Sequence, residues 1–210
     1  MKISLPTRKD YKEIVSLVNE ADRVFFGIYT KSEALEVGVS KLTTDELISG
    51  KKAKKYLVLQ DSKKMLAFAS FRLKNEQTVW ISSLYVRVDL QGKGYGSKLL
   101  KEVENFAFKN MAKVVVLETE KKAKWAVNFY LKNGYKKITK NGLTKFPFDK
   151  VLEKPPVPNR YILGKVVGSE KFNASTSRMI KRALKDISQG KNLFPSFSSA
   201  KEAIKYLRSV

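Results

Sequence analysis

The chain has 210 residues, with 42 Lys and Arg against 20 Asp and Glu, a formal net charge of +22, and neither histidine nor cysteine. The missing cysteine excludes disulfides, thiolate metal sites and a cysteine nucleophile. The missing histidine excludes Ser-His-Asp and Cys-His catalysis and most zinc sites. Glu, Asp, Tyr, Lys, Ser and backbone N–H groups remain for chemistry. A 43% hydrophobic share with 11% aromatics argues against a disordered basic tail.

The N-terminal Met1-Lys2-Ile3-Ser4-Leu5-Pro6 is charged early and broken by a proline. No apolar stretch approaches the ~18–20 residues a membrane helix needs. A soluble, cytoplasmic protein is the expectation. The charge is uneven: residues 121–165 hold 12 basic against 2 acidic side chains. Such a cluster attracts polyanions such as RNA or an acidic protein surface. A plain solvated lysine surface is the alternative.

In chain order, Ile3 and Leu5 predict a short strand ended by Pro6. Thr7 with Asp10 at N3 predicts a helix start, and Ile14, Val15, Leu17, Val18 and Ala21 form its apolar stripe. The apolar run Val24–Tyr29 has no clear assignment. Thr44–Ile48 predicts a short helix stopped by Gly50. Tyr56–Gln60, Met65–Leu73 and Thr78–Val86, separated by polar turns, predict an antiparallel meander. A helix is predicted from about Gly94 to Met111, with Leu99, Leu100, Val103, Phe106 and Ala107 inward. The all-apolar Val114–Leu117 predicts a strand covered on both faces. A helix over 124–132 ends at Gly134, a strand can follow over Tyr135–Thr139, and four prolines mark Asn141–Asn159 as a loop. Arg160–Val167 predicts a last strand. The order implies a mixed sheet flanked by helices.

The sharpest local feature is Gln91-Gly92-Lys93-Gly94-Tyr95-Gly96, between a strand and a helix. Such a loop offers consecutive backbone N–H groups and a helix N-terminus to a phosphate. A Rossmann fingerprint is disfavoured because a meander precedes the loop, and a P-loop because no Gly-Lys-Ser/Thr follows.

The run from Leu84 to Leu100 resembles motif A of the GNAT acetyltransferase superfamily. About thirty residues on, Trp125-Ala126-Val127-Asn128-Phe129-Tyr130-Leu131-Lys132-Asn133-Gly134-Tyr135 is similar to the family's motif B. The resemblance covers roughly residues 1–167. It implies an α/β (α+β) fold, a GNAT-like mixed, mostly antiparallel twisted sheet flanked by helices. It implies an enzyme that transfers acetyl from acetyl-CoA to a primary amine by direct attack in a ternary complex, with no metal.

On that resemblance, Gln91, Gly92, Lys93, Gly94, Tyr95, Gly96 and Ser97 cradle the coenzyme pyrophosphate. Leu84, Tyr85 and Val86 pair with the pantetheine arm, and a backbone N–H there acts as oxyanion donor. This requires the strand to splay from its neighbour, Val114–Thr119. Tyr130 is the general acid, with core packing as its alternative. Asn128 is a candidate coenzyme ligand, although the asparagine often found seven residues before the tyrosine is here Ala123. The strand carries Ser82 and Ser83 where many members have a glutamate, so Glu118 is the candidate base and Glu120 a lesser one.

Two domains are expected, residues 1–168 and a helical extension over 169–210. Ile180, Ala183, Leu184 and Ile187 form one stripe, and Ala200, Ala203, Ile204 and Leu207 another. The extension loosely resembles the C-terminal part of small type II antitoxins. A helical pair docked on its own domain or on a second subunit, as in a homodimer, is the plainer reading. The charge favours a polyanionic acceptor, such as aminoacyl-tRNA or a ribosome-associated protein. The alternatives are a nucleic-acid- or ribosome-binding module on a GNAT scaffold, or a GNAT toxin acting on aminoacyl-tRNA.

Overall fold

The chain divides into two units, Met1–Gly168 and Ser169–Val210. The computed structural model describes residues 1–27, 29–30, 41–62, 64–139, 148 and 159–167. The expected helical stripes beyond residue 169 and nearly all of the loop 141–159 lie outside the described residues.

Strand β1 (Lys2–Ser4) leads through a 3-10 turn, Arg8–Asp10, into α1 (Tyr11–Asp22). Asp10 fixes this entry. Its Oδ2 accepts from the Thr7 N–H at 2.6 Å and from the Thr7 hydroxyl at 2.8 Å. The unassigned run after α1 is a 3-10 segment, Arg23–Gly27. Helix α2 (Thr44–Gly50) starts with a capping box between Thr43 and Glu46. The meander follows as β2 (Lys55–Asp61), β3 (Lys64–Asn75) and β4 (Thr78–Val86). Then come α3 (Tyr95–Lys109), β5 (Val114–Glu120), α4 (Lys124–Lys132), β6 (Lys136–Lys137) and β7 (Arg160–Val166). β6 is shorter than the Tyr135–Thr139 strand the sequence suggests, and Tyr135 is buried in the core cluster with Tyr130 of α4.

The seven strands form one sheet in the order β1-β2-β3-β4-β5-β7-β6. Among the described residues only β4 and β5 pair in parallel. Inward residues of α3 (Leu99, Leu100, Val103, Ala107) cover one face together with Tyr130 of α4. Tyr11, Ile14, Leu17 and Val18 of α1, with Leu47 of α2, cover the other. β5 is buried on both sides, Val115 and Leu117 toward α3 and Val114 and Val116 away from it. Its uninterrupted apolar run reflects that double burial. Among the described residues no helix is long and apolar enough to cross a membrane.

Candidate active site

The site begins where a ladder stops. β4 and β5 pair from Thr78↔Val114 to Ile81↔Leu117, and the remaining five residues of β4, Ser82–Val86, have no partner on β5. A register shift supplies the cause. Ser70 faces Ser83 while Phe71 faces Ile81, so Ser82 is an extra residue on β4. A bulge of this kind bends its strand and increases the local twist. β4 turns from β5 while still paired to β3 through Ala67↔Val86. β5 meanwhile continues along β7 to Glu120↔Arg160. The two parallel strands thus diverge, and the β4 edge facing the gap offers backbone donors and acceptors.

The glycine loop follows at once. A 3-10 turn, Val88–Leu90, brings Gln91 back so that its Nε2 reaches the Val86 carbonyl at 3.5 Å. Gly92 and Gly94 adopt φ of +79° and +82°, left-handed backbone that favours glycine. A Cβ at either would meet no atom within 4 Å. These two glycines therefore answer to backbone conformation, and the space beside them is open. Gly94 caps α3 without any side-chain acceptor, and the first amide bonded across the turn is Lys98 N–H, to the Gly94 carbonyl at 3.1 Å. The amides of Tyr95, Gly96 and Ser97 have no carbonyl partner within the helix. Gly96 is different. A Cβ there would lie 3.2 Å from two ring carbons of Phe129 and 3.3 Å from Val86 Cγ2. It lets the first turn of α3 settle on α4 and on the end of β4.

Tyr130 of α4 is buried, ringed by Phe129 and Tyr135 at centroid distances of 5.0 and 5.6 Å. Its hydroxyl has no hydrogen-bond partner among the described residues, and burial pushes its pKa well above the ordinary phenol value. Tyr85 points to the opposite face, toward the α1–α2 cluster. Its phenol is also held up, first by burial, then by the neighbouring Asp22 and Tyr130.

Three carboxylates near the gap complete the geometry. Glu118 and Glu120 share Arg160 of β7, with Arg160 Nη1 3.7 Å from Glu118 Oε2 and its Nε bonded to Glu120 Oε1. Glu120 also accepts from the Tyr29 hydroxyl at 3.2 Å. Asp22, at the end of α1, continues the buried stripe one turn beyond Val18. It makes no ion pair among the described residues, and burial raises its carboxyl above the usual value. The nearby Tyr85 hydroxyl offsets part of that rise.

A family model for acetyltransferases of the GNAT family matches residues 15–135, more than half of the chain. The chain belongs to the GNAT acetyltransferase family. Acetyl-CoA is its acetyl donor. No curated protein sequence matches it, but solved structures share its fold. An acetyltransferase from Streptococcus agalactiae superposes with a TM-score of 0.60 at 16% identity, covering 79% of this chain and 98% of that one. The PaiA N-acetyltransferase from Thermoplasma acidophilum, solved in complex with coenzyme A, gives 0.59 at 17%, again covering 79% and 98%. The ribosomal-protein-S18-alanine N-acetyltransferase from Escherichia coli gives 0.57 at 16%, covering 82% and 97%.

In this acetyltransferase the candidate residues fall into two groups. Leu84, Tyr85, Val86, Gln91 to Ser97 and Tyr130 converge on the splayed end of β4. The open space at Gly92 and Gly94 and the uncapped α3 amides fit a pyrophosphate. Lys93 is exposed with no ion pair among the described residues, and Asn128 is exposed on α4. Glu118 lies on β5 beside the gap and is tied to Arg160. Sequence reasoning missed Asp22 and Arg160. Asp22 carried a faint signal, a carboxylate extending an apolar helical stripe. Arg160 carried none, because its role comes from the β5–β7 register.

Proposed function

We propose that the enzyme acetylates a primary amine by direct attack on acetyl-CoA in a ternary complex. The observation that carries this reading is the β4–β5 ladder ending at Ile81↔Leu117, with the glycine loop and Tyr130 on one side of the gap and Tyr85 with Asp22 on the other. The coenzyme supplies an activated thioester. The α3 amides from Tyr95 to Ser97, the loop amides and Lys93 hold its pyrophosphate. The free edge of Leu84–Val86 aligns the pantetheine arm, and a backbone N–H there stabilises negative charge on the thioester oxygen.

Tyr130 protonates the departing thiolate. A phenol whose ionisation is pushed up stays protonated at neutral pH and can donate. For the proton lost by the attacking ammonium we favour Asp22, behind the Tyr85 hydroxyl. A carboxylate raised by burial, with no cation partner among the described residues, is a better base than Glu118, which is already engaged by Arg160. The test is release of the coenzyme thiol against a panel of amines, proteins and aminoacyl-tRNA, run beside calorimetry with acetyl-CoA. Thiol release with one class of amine supports the reading. Failure to bind acetyl-CoA at tens of micromolar overturns it.

A further inference from the structure

The described stretch Lys121–Thr139 contains six lysines, at 121, 122, 124, 132, 136 and 137, and no Asp or Glu. All six are exposed. They occupy the β5–α4 turn, α4 and β6, which is the edge strand at one end of the sheet. Lysines on an edge strand have an ordinary use, since they prevent sheet-to-sheet pairing. That accounts for Lys136 and Lys137 and leaves four unexplained.

The described carboxylates nearby are engaged elsewhere. Glu118 and Glu120 are taken by Arg160. Glu104 is buried and held by Lys165, at 2.8 and 2.9 Å. Lys121, Lys124, Lys132, Lys136 and Lys137 make no ion pair among the described residues. Two of them converge despite their separation in sequence. The Lys137 ammonium lies 3.9 Å from the Tyr161 ring centroid, and the Lys121 ammonium 5.5 Å from the same ring. The Tyr161 ring draws both cations toward it, and a nearby anion would relieve their mutual repulsion. Beside Lys124, Trp125 keeps 44% of its surface exposed. A flat aromatic among lysines suits a base as well as a phosphate.

We propose that this corner binds the phosphodiester backbone of a nucleic acid strand, separately from the coenzyme site. The test uses fluorescence anisotropy of the full chain with labelled oligouridine and oligothymidine, each about twenty nucleotides long. Salt is varied around ~0.1 M, and saturating acetyl-CoA is present or absent. A variant combining Lys121→Gln, Lys124→Gln and Lys137→Gln is compared with the parent, and a polyglutamate peptide serves as competitor. The expected result is micromolar binding of one or both strands that acetyl-CoA does not displace. The triple variant should weaken it about tenfold and reduce the salt slope by about 2, near 0.7 per lost phosphate contact. RNA bound more tightly than DNA would mark a contact to the ribose, and equal binding a contact to phosphate alone. Three results would overturn the proposal: no binding at ~50 µM strand, binding and slope unchanged in the variant, or displacement by acetyl-CoA or polyglutamate at equal charge. Calorimetry with acetyl-CoA on the same variant tells the two readings apart. Lost coenzyme binding in the parent would count against the acetyltransferase mechanism and leave this surface standing.

Discussion

Gly96 of α3 and Phe129 of α4 touch so closely that a Cβ on the glycine would stand 3.2 Å from the ring. The two motifs of this fold are joined at that contact. Gly96→Ala pushes Phe129, and through it the neighbouring Tyr130, out of position. Overpacking of this size costs about 1–3 kcal/mol, so Tm should fall by roughly 2–12 °C for a protein of this length. Thermal melts of the variant check the prediction, and an unchanged Tm would show that α4 yields freely.

Gly92→Ala and Gly94→Ala should behave differently. Neither Cβ meets a neighbour, but each forces a left-handed alanine at a cost of about 1 kcal/mol. The larger effect should be on acetyl-CoA, whose phosphates must approach this backbone. We expect a loss of affinity of about tenfold or more by calorimetry, equivalent to ~1.4 kcal/mol. The apo protein should lose only a few degrees in Tm.

Tyr130→Phe separates catalysis from stability. The hydroxyl has no hydrogen-bond partner to lose among the described residues, so Tm at pH 7 should barely move. Turnover should fall by about 10²-fold, the usual range for a removed general acid, with coenzyme affinity retained. The alkaline side gives a second check. Burial makes the folded phenol ionise above the ordinary value of 10.0. The parent is therefore fully stabilised below pH ~10 and loses that contribution as pH rises toward the folded value. The Phe variant should resist alkali better.

Asp22→Asn and Glu118→Gln form a discriminating pair. Burial raises the Asp22 carboxyl above 3.8, so the folded state favours its protonated form. Its favourable contribution is complete below pH ~3.8 and fades as pH rises through the folded value. Asp22→Asn should therefore raise Tm at pH 7 by roughly 2–4 °C and leave it unchanged at pH 3. It should also lower turnover by about 10²-fold and remove the acidic limb of the pH–rate profile. Glu118→Gln loses its 3.7 Å ion pair with Arg160, worth about 1 kcal/mol or less at a partly exposed site. It should retain most activity. The reverse pattern would return the base to Glu118.

Most elements were legible because each is set by neighbours in the chain. The α1 stripe from Ile14 to Ala21, the capping residues Thr7 and Thr43, the three meander strands and the helix over Lys124–Lys132 follow from local periodicity and turn chemistry. β6 was less legible, since burial of Tyr135 is decided by what α4 and Lys165 bring near it. The site divided the same way. Gln91 to Ser97 and Tyr130 stood out as motifs, whereas Asp22 and Arg160 gained meaning only from partners 63 and 40 residues away in Tyr85 and Glu120.

The charge and the absent histidine and cysteine fix what chemistry is open to this chain, and the glycine spacing fixes where a phosphate can sit. Those are properties of composition and of a few adjacent residues. The gap that makes a site of them depends on register. One extra residue at Ser82, seen only when β4 is laid against β3, turns the strand from β5 after Ile81. Likewise, the sequence supplies the lysines after residue 120, but tertiary pairing decides which carboxylates remain to cancel them. Arg160 and Lys165 hold Glu118, Glu120 and Glu104, so these three carboxylates are not left for the lysines at the sheet's edge. Long-range pairing carries no local signature, and for that reason the fold alone could decide it.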